Sequence, residues 1–230
     1  MAMSASSVLA SAVPRPRVIA FDAYGTLFDV HSAVHALGRR MGPDAPAFSA
    51  LWRSKQLEYT WVLSLAGQYR DFWLLTQDAL DFALASFPSI DPGLRPELLA
   101  AYRTLAAYPE AAAVLQRLKA EGLATCILSN GEPGMLADAV ASAGLGALLD
   151  AVVSVETVRI FKTAPAAYQL VCDRFGVAPS EIMLVSSNRW DVAGAAAFGY
   201  RTVWVNRTGA PPEYADLAPL ATVRNLDGVA

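Results

Sequence analysis

The sequence predicts an α/β fold: a parallel sheet covered by helices on both faces and interrupted once by a long helical insertion. Three observations lead there. Short continuous apolar runs, such as residues 18–21 and 182–185, have the pattern of strands buried on both faces. These runs alternate with helical stretches of about ten residues or more, as parallel crossovers require. Between them, the interval from Val30 to about Ala106 carries helical signals only.

The elements follow in chain order. Residues 1–16 have no basic residue before Arg15 and too weak an apolar run for a secretory signal, so they read as a disordered N-terminal tail. Residues 17–21 form the first strand, which delivers Asp22 into a turn containing Gly25. In the insertion, LWRSKQLEYTWVLSLAG and RDFWLLTQDALDFALASF are apolar at helical spacing, broken by Gly67, Pro88 and Asp91-Pro92-Gly93. The pattern then alternates: helix 110–121, strand 124–128, helix 133–143, strand 151–155, helix 164–175, strand 182–185, helix 192–198 and strand 201–205.

Composition narrows the function. A hydrophobic fraction of 54% with 17% charged residues describes a chain that packs rather than one that stays disordered. The net charge of −3, without a Lys/Arg cluster, argues against a nucleic-acid surface, so an anionic substrate must be caught by local charge. No apolar run approaches the length that spans a bilayer. Cys126 and Cys172 sit in apolar segments without metal-ligand spacing and read as free buried thiols of a reducing, cytoplasmic protein. His31 and His35 lie close together near the first turn and read as structural.

Three strands end in polar residues: Asp22 after the first, Ser129-Asn130-Gly131 after the second, and Ser186-Ser187-Asn188 after the fourth. Each alone is an ordinary turn or helix cap. Ligands of open parallel sheets bind beyond the carboxyl ends of the strands, so together these groups mark one candidate site.

The order Asp22-x-x-x-Thr26, then Ser129-Asn130, then Lys162 before a helix, then Ser186-Ser187-Asn188-x-x-Asp191, resembles the haloacid dehalogenase superfamily. More narrowly, FDAYGTLFDVHS, LWRSKQLEYTW, ILSNG, FKTAPAAY and VSSNRWDVAGAAAFGY resemble the (S)-2-haloacid dehalogenases, in order, from about Arg17 to Gly209. The resemblance implies a Rossmann-like core, residues 17–29 and 107–230, with residues 30–106 as a helical cap over the sheet edge. It also implies hydrolysis of short (S)-2-haloalkanoic acids to (R)-2-hydroxy acids, with water as co-substrate, halide as product and no cofactor.

The chemistry fits those residues. Displacing a halide from carbon needs a nucleophile that attacks from behind, and the Asp22 carboxylate would form an ester in doing so. In phosphatases of this fold a second aspartate, two residues on, protonates the leaving alkoxide. A halide leaves without a proton, and here that position is Tyr24. Hard Mg²⁺ wants oxygen ligands, carboxylates above all, yet Asp191 is the only acid near Ser186, Ser187 and Asn188. Lys162 can supply the positive charge instead and keep Asp22 ionised. Asp191, with Asn188 and Ser186, is placed to position or activate the water that cleaves the ester, or Asp191 orients Lys162. The resemblance further implies that Arg53 receives the halide or substrate and that Asn130 joins it. Ser129 and the N–H groups after it, at a helix N-terminus, bind the substrate carboxylate. Tyr24, Phe72 and Trp190 form pocket wall, and Tyr168 matches a site residue. The family commonly has Pro after the lysine; here Thr163 is expected to cap the following helix.

Two other functions compete. A Mg²⁺-dependent phosphatase of the same superfamily is disfavoured by Tyr24 and by the scarcity of acids near Ser186. A catalytically idle binding or assembly module is disfavoured by the joint presence of Asp22, Arg53, Lys162 and Asp191. Apolar positions on more than one face of the cap helices suggest a homodimer.

Overall fold

The structure, a computed structural model, describes residues 8–11 and 15–230. In chain order its elements are α1 (Val8–Ser11), β1 (Val18–Phe21), α2 (Ser32–Ala36), α3 (Ala45–Leu65), α4 (Phe72–Ser86), α5 (Arg95–Arg103), α6 (Ala111–Ala120) and β2 (Ala124–Ser129). They continue with α7 (Pro133–Ser142), β3 (Ala151–Ser154), α8 (Pro165–Phe175), β4 (Ile182–Ser186), α9 (Arg189–Phe198), β5 (Arg201–Val205) and β6 (Ala221–Val223).

The strands form one sheet in the order β3-β2-β1-β4-β5-β6, with every neighbouring pair parallel. β1 is central, and each of its residues is buried, as are those of β4. Its continuous apolar run is the consequence, since a strand covered on both faces has no polar side to show. Phe21 pairs with Ile127 of β2 and with Val185 of β4. The next residues therefore come level: Asp22 lies beside Leu128 and Ser186, which are still paired with β3 and β5, and Ser129 follows one step on. Strand order reverses direction at β1, which makes its carboxyl end a switch point where connections splay apart and leave a crevice.

Between β1 and α6 the described elements are all helical or turn. α4 buries Phe72, Leu75, Thr76, Ala79, Leu80, Ala83 and Leu84, a stripe at three- and four-residue spacing that packs on α3. α3 answers with Phe48, Trp52, Gln56 and Thr60, every fourth residue. This helical segment leaves and re-enters the core at a single neck. Asp29 N–H donates to the Ala106 carbonyl at 2.8 Å, Tyr108 N–H to the Leu27 carbonyl at 2.9 Å, and Phe28 bridges antiparallel to Ala107.

Several expectations need amendment. Within the stretch expected to be a disordered tail, Val8–Ser11 form a helical turn in which Val8 and Leu9 are buried, an apolar pair removed from water; residues 1–7 and 12–14 lie outside the described residues. β6 was not anticipated, because its three residues are too few for any period to register. α9 starts at Arg189, not at 192, so Asp191 falls in its first turn. Both cysteines are free and buried, and burial pushes the Cys126 thiol up to about 12, so it stays protonated and inert. Among the described residues no helix is long and apolar enough to cross a membrane.

Candidate active site

Asp22 continues the ladder of β1, its N–H donating to the Val185 carbonyl at 3.0 Å. The chain then turns through Gly25, whose φ of 94° suits a residue without a Cβ. The turn brings Thr26 back, so that its hydroxyl donates to Asp22 Oδ2 at 3.1 Å and accepts from Ser187 N–H at 2.8 Å. From the end of β4, Asn188 Nδ2 donates to the same Oδ2 at 2.6 Å and to the Tyr24 carbonyl at 3.1 Å. Oδ1 receives one donor, Lys162 Nζ at 3.2 Å. The carboxylate is thus clamped through Oδ2 and left with Oδ1 less engaged.

Lys162 is fully buried in the loop before α8. Its N–H donates to Asn130 Oδ1 at 2.9 Å, and its ammonium reaches Asp191 Oδ2 at 2.8 Å as well as Asp22. The other Asp191 oxygen accepts from the Tyr168 hydroxyl at 2.9 Å. Burial works against the Lys162 charge, but the Asp191 and Asp22 carboxylates outweigh it and hold its pKa above the ordinary value of 10.5. Asp191 is raised as well, first by burial and then by the Asp22 charge, with Lys162 and Tyr168 pulling it back. The two directions agree: one ammonium shared by two carboxylates leaves a surplus negative charge, which tightens the hold on a proton.

Above this triad lies the helical segment. Arg53 of α3 donates through one guanidinium nitrogen to Gln56 Oε1 at 2.6 Å and through the other to the Tyr24 carbonyl at 3.1 Å. The Tyr24 ring stacks on Tyr102 and packs against Phe72, and Phe72 meets Phe161. The Tyr24 hydroxyl and Asn130 Nδ2 are buried with no hydrogen-bond partner among the described residues. Two buried donors without acceptors are costly unless an anion or water meets them. Outside, a cavity of about 380 Å³ touches Gly25, Arg53, Asn188, Arg189, Trp190 and Arg207. Trp190 sits at this mouth, edge-on to Trp61 of α3. A larger cavity of about 610 Å³ beyond Trp190 is lined by apolar residues such as Trp61, Pro165 and Phe198 and by none of the triad.

Asp22, Thr26, Lys162, Tyr168, Asn188 and Asp191 therefore form one connected network, and Tyr24, Arg53, Phe72 and Asn130 adjoin it. Of the expectations for this region, the one for Thr163 is corrected. Ser129 Oγ accepts from Gly131 N–H at 3.1 Å and keeps its own hydrogen to donate, while Glu132 caps the helix that follows by accepting from the Gly134 and Met135 N–H groups. Ser186 Oγ likewise accepts from Asn188 N–H at 3.1 Å, which shapes the turn carrying Asn188. Thr163 does not cap α8, whose N-cap is Ala164, with Pro165 at the start having no N–H that needs an acceptor.

Sequence reasoning passed over Gln56, Tyr102 and Gly194. The last carried a signal, since a glycine inside a helix is unfavourable unless something comes close. A Cβ at Gly194 would stand 2.6 Å from the Tyr168 hydroxyl and 2.6 Å from Thr163 Cγ2. Gly194→Ala should therefore push Tyr168 off Asp191, lowering stability by about 1–3 kcal/mol and turnover with it. Urea midpoints and kcat together check this; an alanine variant with wild-type values of both would refute it.

The residues do not fit a divalent metal. Lys162 Nζ stands between Asp22 and Asp191, where a Mg²⁺ ion would face a fixed ammonium. Among the described residues no three His, Cys, Asp or Glu side chains are grouped to hold a metal ion.

Comparison with known proteins gives the family. The haloacid dehalogenase-like hydrolase family model matches residues 16–199. The chain is 49% identical over 205 residues to (S)-2-haloacid dehalogenase 4A of Burkholderia cepacia, covering 89% of this chain and 88% of that one. It is 49% identical over 199 residues to (S)-2-haloacid dehalogenase 1 of Pseudomonas sp. strain CBS-3, covering 86% and 88%. It superposes with a TM-score of 0.83, at 38% identity, on L-2-haloacid dehalogenase from Xanthobacter autotrophicus with chloropropionic acid covalently bound, covering 92% of this chain and 95% of that one. With that identity spread over most of its length, the chain belongs to the (S)-2-haloacid dehalogenase family of the haloacid dehalogenase-like hydrolases.

Proposed function

We propose that the protein hydrolyses short (S)-2-haloalkanoic acids to (R)-2-hydroxy acids through an ester on Asp22, without a metal. The observation that carries this is the clamped Asp22 carboxylate, paired with a buried ammonium and followed two residues on by Tyr24, where a phosphatase of this fold needs an acid. Asp22 attacks C2 of the substrate opposite the carbon–halogen bond, a carbon–oxygen bond forms, and the halide departs with the bonding pair. One displacement at C2 inverts its configuration. Arg53, Asn130 Nδ2 and the Tyr24 hydroxyl are the donors available to the departing anion, with Phe72 closing the apolar side. Water then attacks the Asp22 carbonyl carbon, and as the acyl–oxygen bond breaks the departing 2-hydroxy oxygen takes one of the two water protons. Asp191 ends with the other, directly or through Lys162, and its raised proton affinity suits it to that. Asn188 holds Asp22 Oδ2 throughout.

In this reading residues 30–106 are a cap on a core of residues 17–29 and 107–230, supported by Arg53 reaching the Tyr24 carbonyl from α3. The protein is read as a cytoplasmic homodimer. Its free thiols support the compartment, and exposed Val62, Leu65, Leu74 and Phe82 on α3 and α4 support the assembly, against which a single-chain mass in sedimentation would count.

Halide and phosphate release from a small substrate panel, with and without EDTA, tests the function. Chloride should be released from (S)-2-chloropropionate after exhaustive chelation, with no phosphate from small phosphate esters. Activity that EDTA removes and Mg²⁺ restores would sink the metal-free reading, and faster turnover of (R)-2-chloropropionate would sink the enantiomer.

A further inference from the structure

Gln56 interrupts an otherwise well-chosen buried stripe. On α3 the series Phe48, Trp52, Gln56, Thr60 faces the interior, and Gln56 is fully buried there. A buried amide is costly unless all its polar atoms are bonded, and here they are directed with no freedom. Arg53 can only donate, so it must meet an oxygen, and it meets Gln56 Oε1 at 2.6 Å. Tyr102 of α5 donates to the same oxygen at 3.1 Å. The Thr76 hydroxyl of α4 spends its hydrogen on the Phe72 carbonyl at 2.7 Å and so offers a lone pair, which Gln56 Nε2 takes at 2.6 Å. One amide thus ties α3, α4 and α5 to the guanidinium.

The groups that Arg53 meets are the Gln56 amide oxygen, the Tyr24 carbonyl and the Tyr102 hydroxyl, all neutral. They fix the direction of the guanidinium without cancelling its charge. A carboxylate at the same 2.6 Å would fix it equally well but would compete with any arriving anion for the same cation. We infer that Gln56 is a positioning residue for the dehalogenation step, an uncharged acceptor that aims Arg53 at the site while leaving its charge free for the departing halide. The inference rests on the proposed role of Arg53 as halide acceptor. Gln56 acts through Arg53 and does not itself touch substrate.

Two variants separate charge from shape. Gln56→Glu keeps size and an acceptor but adds a negative charge; Gln56→Met keeps volume and removes the acceptor. The readouts are kcat and KM for (S)-2-chloropropionate, inhibition by added chloride, and the thermal midpoint. Wild-type chloride release comes first, because its absence would defeat the functional reading itself and not this inference. Gln56→Glu should lose about tenfold or more in kcat/KM and bind inhibitory chloride about tenfold more weakly, because the introduced carboxylate stays ionised beside the guanidinium. Gln56→Met should lose about tenfold in kcat by misdirecting Arg53. Wild-type chloride inhibition and kcat/KM in Gln56→Glu would overturn the inference. So would losses in both variants that follow only a lowered thermal midpoint, with chloride inhibition as in the wild type. Should Gln56→Glu not fold, unchanged kcat and KM in Gln56→Met would overturn it alone.

Discussion

Asp22→Asn should lower chloride release from (S)-2-chloropropionate by roughly four to six orders of magnitude, the scale on which removal of a nucleophile acts. The asparagine fits the same clamp of Thr26 and Asn188, so the fold should survive and the loss should fall on chemistry. An isotope experiment then separates attack by Asp22 from activation of water by Asp22. In H₂¹⁸O with enzyme in excess, direct attack gives unlabelled 2-hydroxy acid in the first turnover, its hydroxyl oxygen coming from Asp22. The solvent oxygen enters the Asp22 peptide when water opens the ester. Labelled product with an unlabelled peptide would remove Asp22 from the nucleophile's role.

Lys162→Met should have the second largest effect, on rate and on stability together. The variant leaves Asp22 and Asp191 buried and facing each other with no cation between them, at a cost of about 3–5 kcal/mol. Their carboxyls then favour the protonated form in the fold, so the variant should be least unstable in acid and lose stability as pH rises. The wild type behaves otherwise. Its ammonium has a folded-state pKa above 10.5, so its stabilising contribution is whole below that pH and is lost only as pH climbs through the folded value. Urea midpoints at about pH 5 and about pH 8 read out the contrast. A Lys162→Met protein equally stable at both, with normal turnover, would mean that the triad carries no such charge.

What was legible in the sequence was what depends on neighbours along the chain. β1, β2 and β4 announced themselves as continuous apolar runs, and their polar ends followed from where the runs stopped. Asp22, Lys162 and Asp191 could be grouped because a parallel sheet brings successive strand ends to one edge. The start of α9 was misjudged because Arg189 to Asp191 lack an apolar face, although Asn188 already ends the extended backbone before them. The cap by Glu132 was hidden for a different reason: its side chain had first to fold forward onto the Gly134 and Met135 N–H groups. Gln56 was out of reach, since its meaning lies in the meeting of three helices and a residue in the middle of an amphipathic run carries no mark of its partners.

The neck at Asp29 and Ala106 has a consequence for how such a chain can change. The helical segment departs and returns between backbone groups already bonded to each other, so to the sheet the whole excursion amounts to a hairpin turn with closed ends. Its length hardly enters the entropy of bringing β1 and β2 side by side, because the ends are joined whatever lies between them. A longer, shorter or differently shaped insert could replace it without shifting a single strand pairing. What must be preserved is an arginine arriving over Tyr24 with the groups that aim it, so substrate range can be rebuilt in the rest of the insert while the nucleophile's surroundings stay as they are.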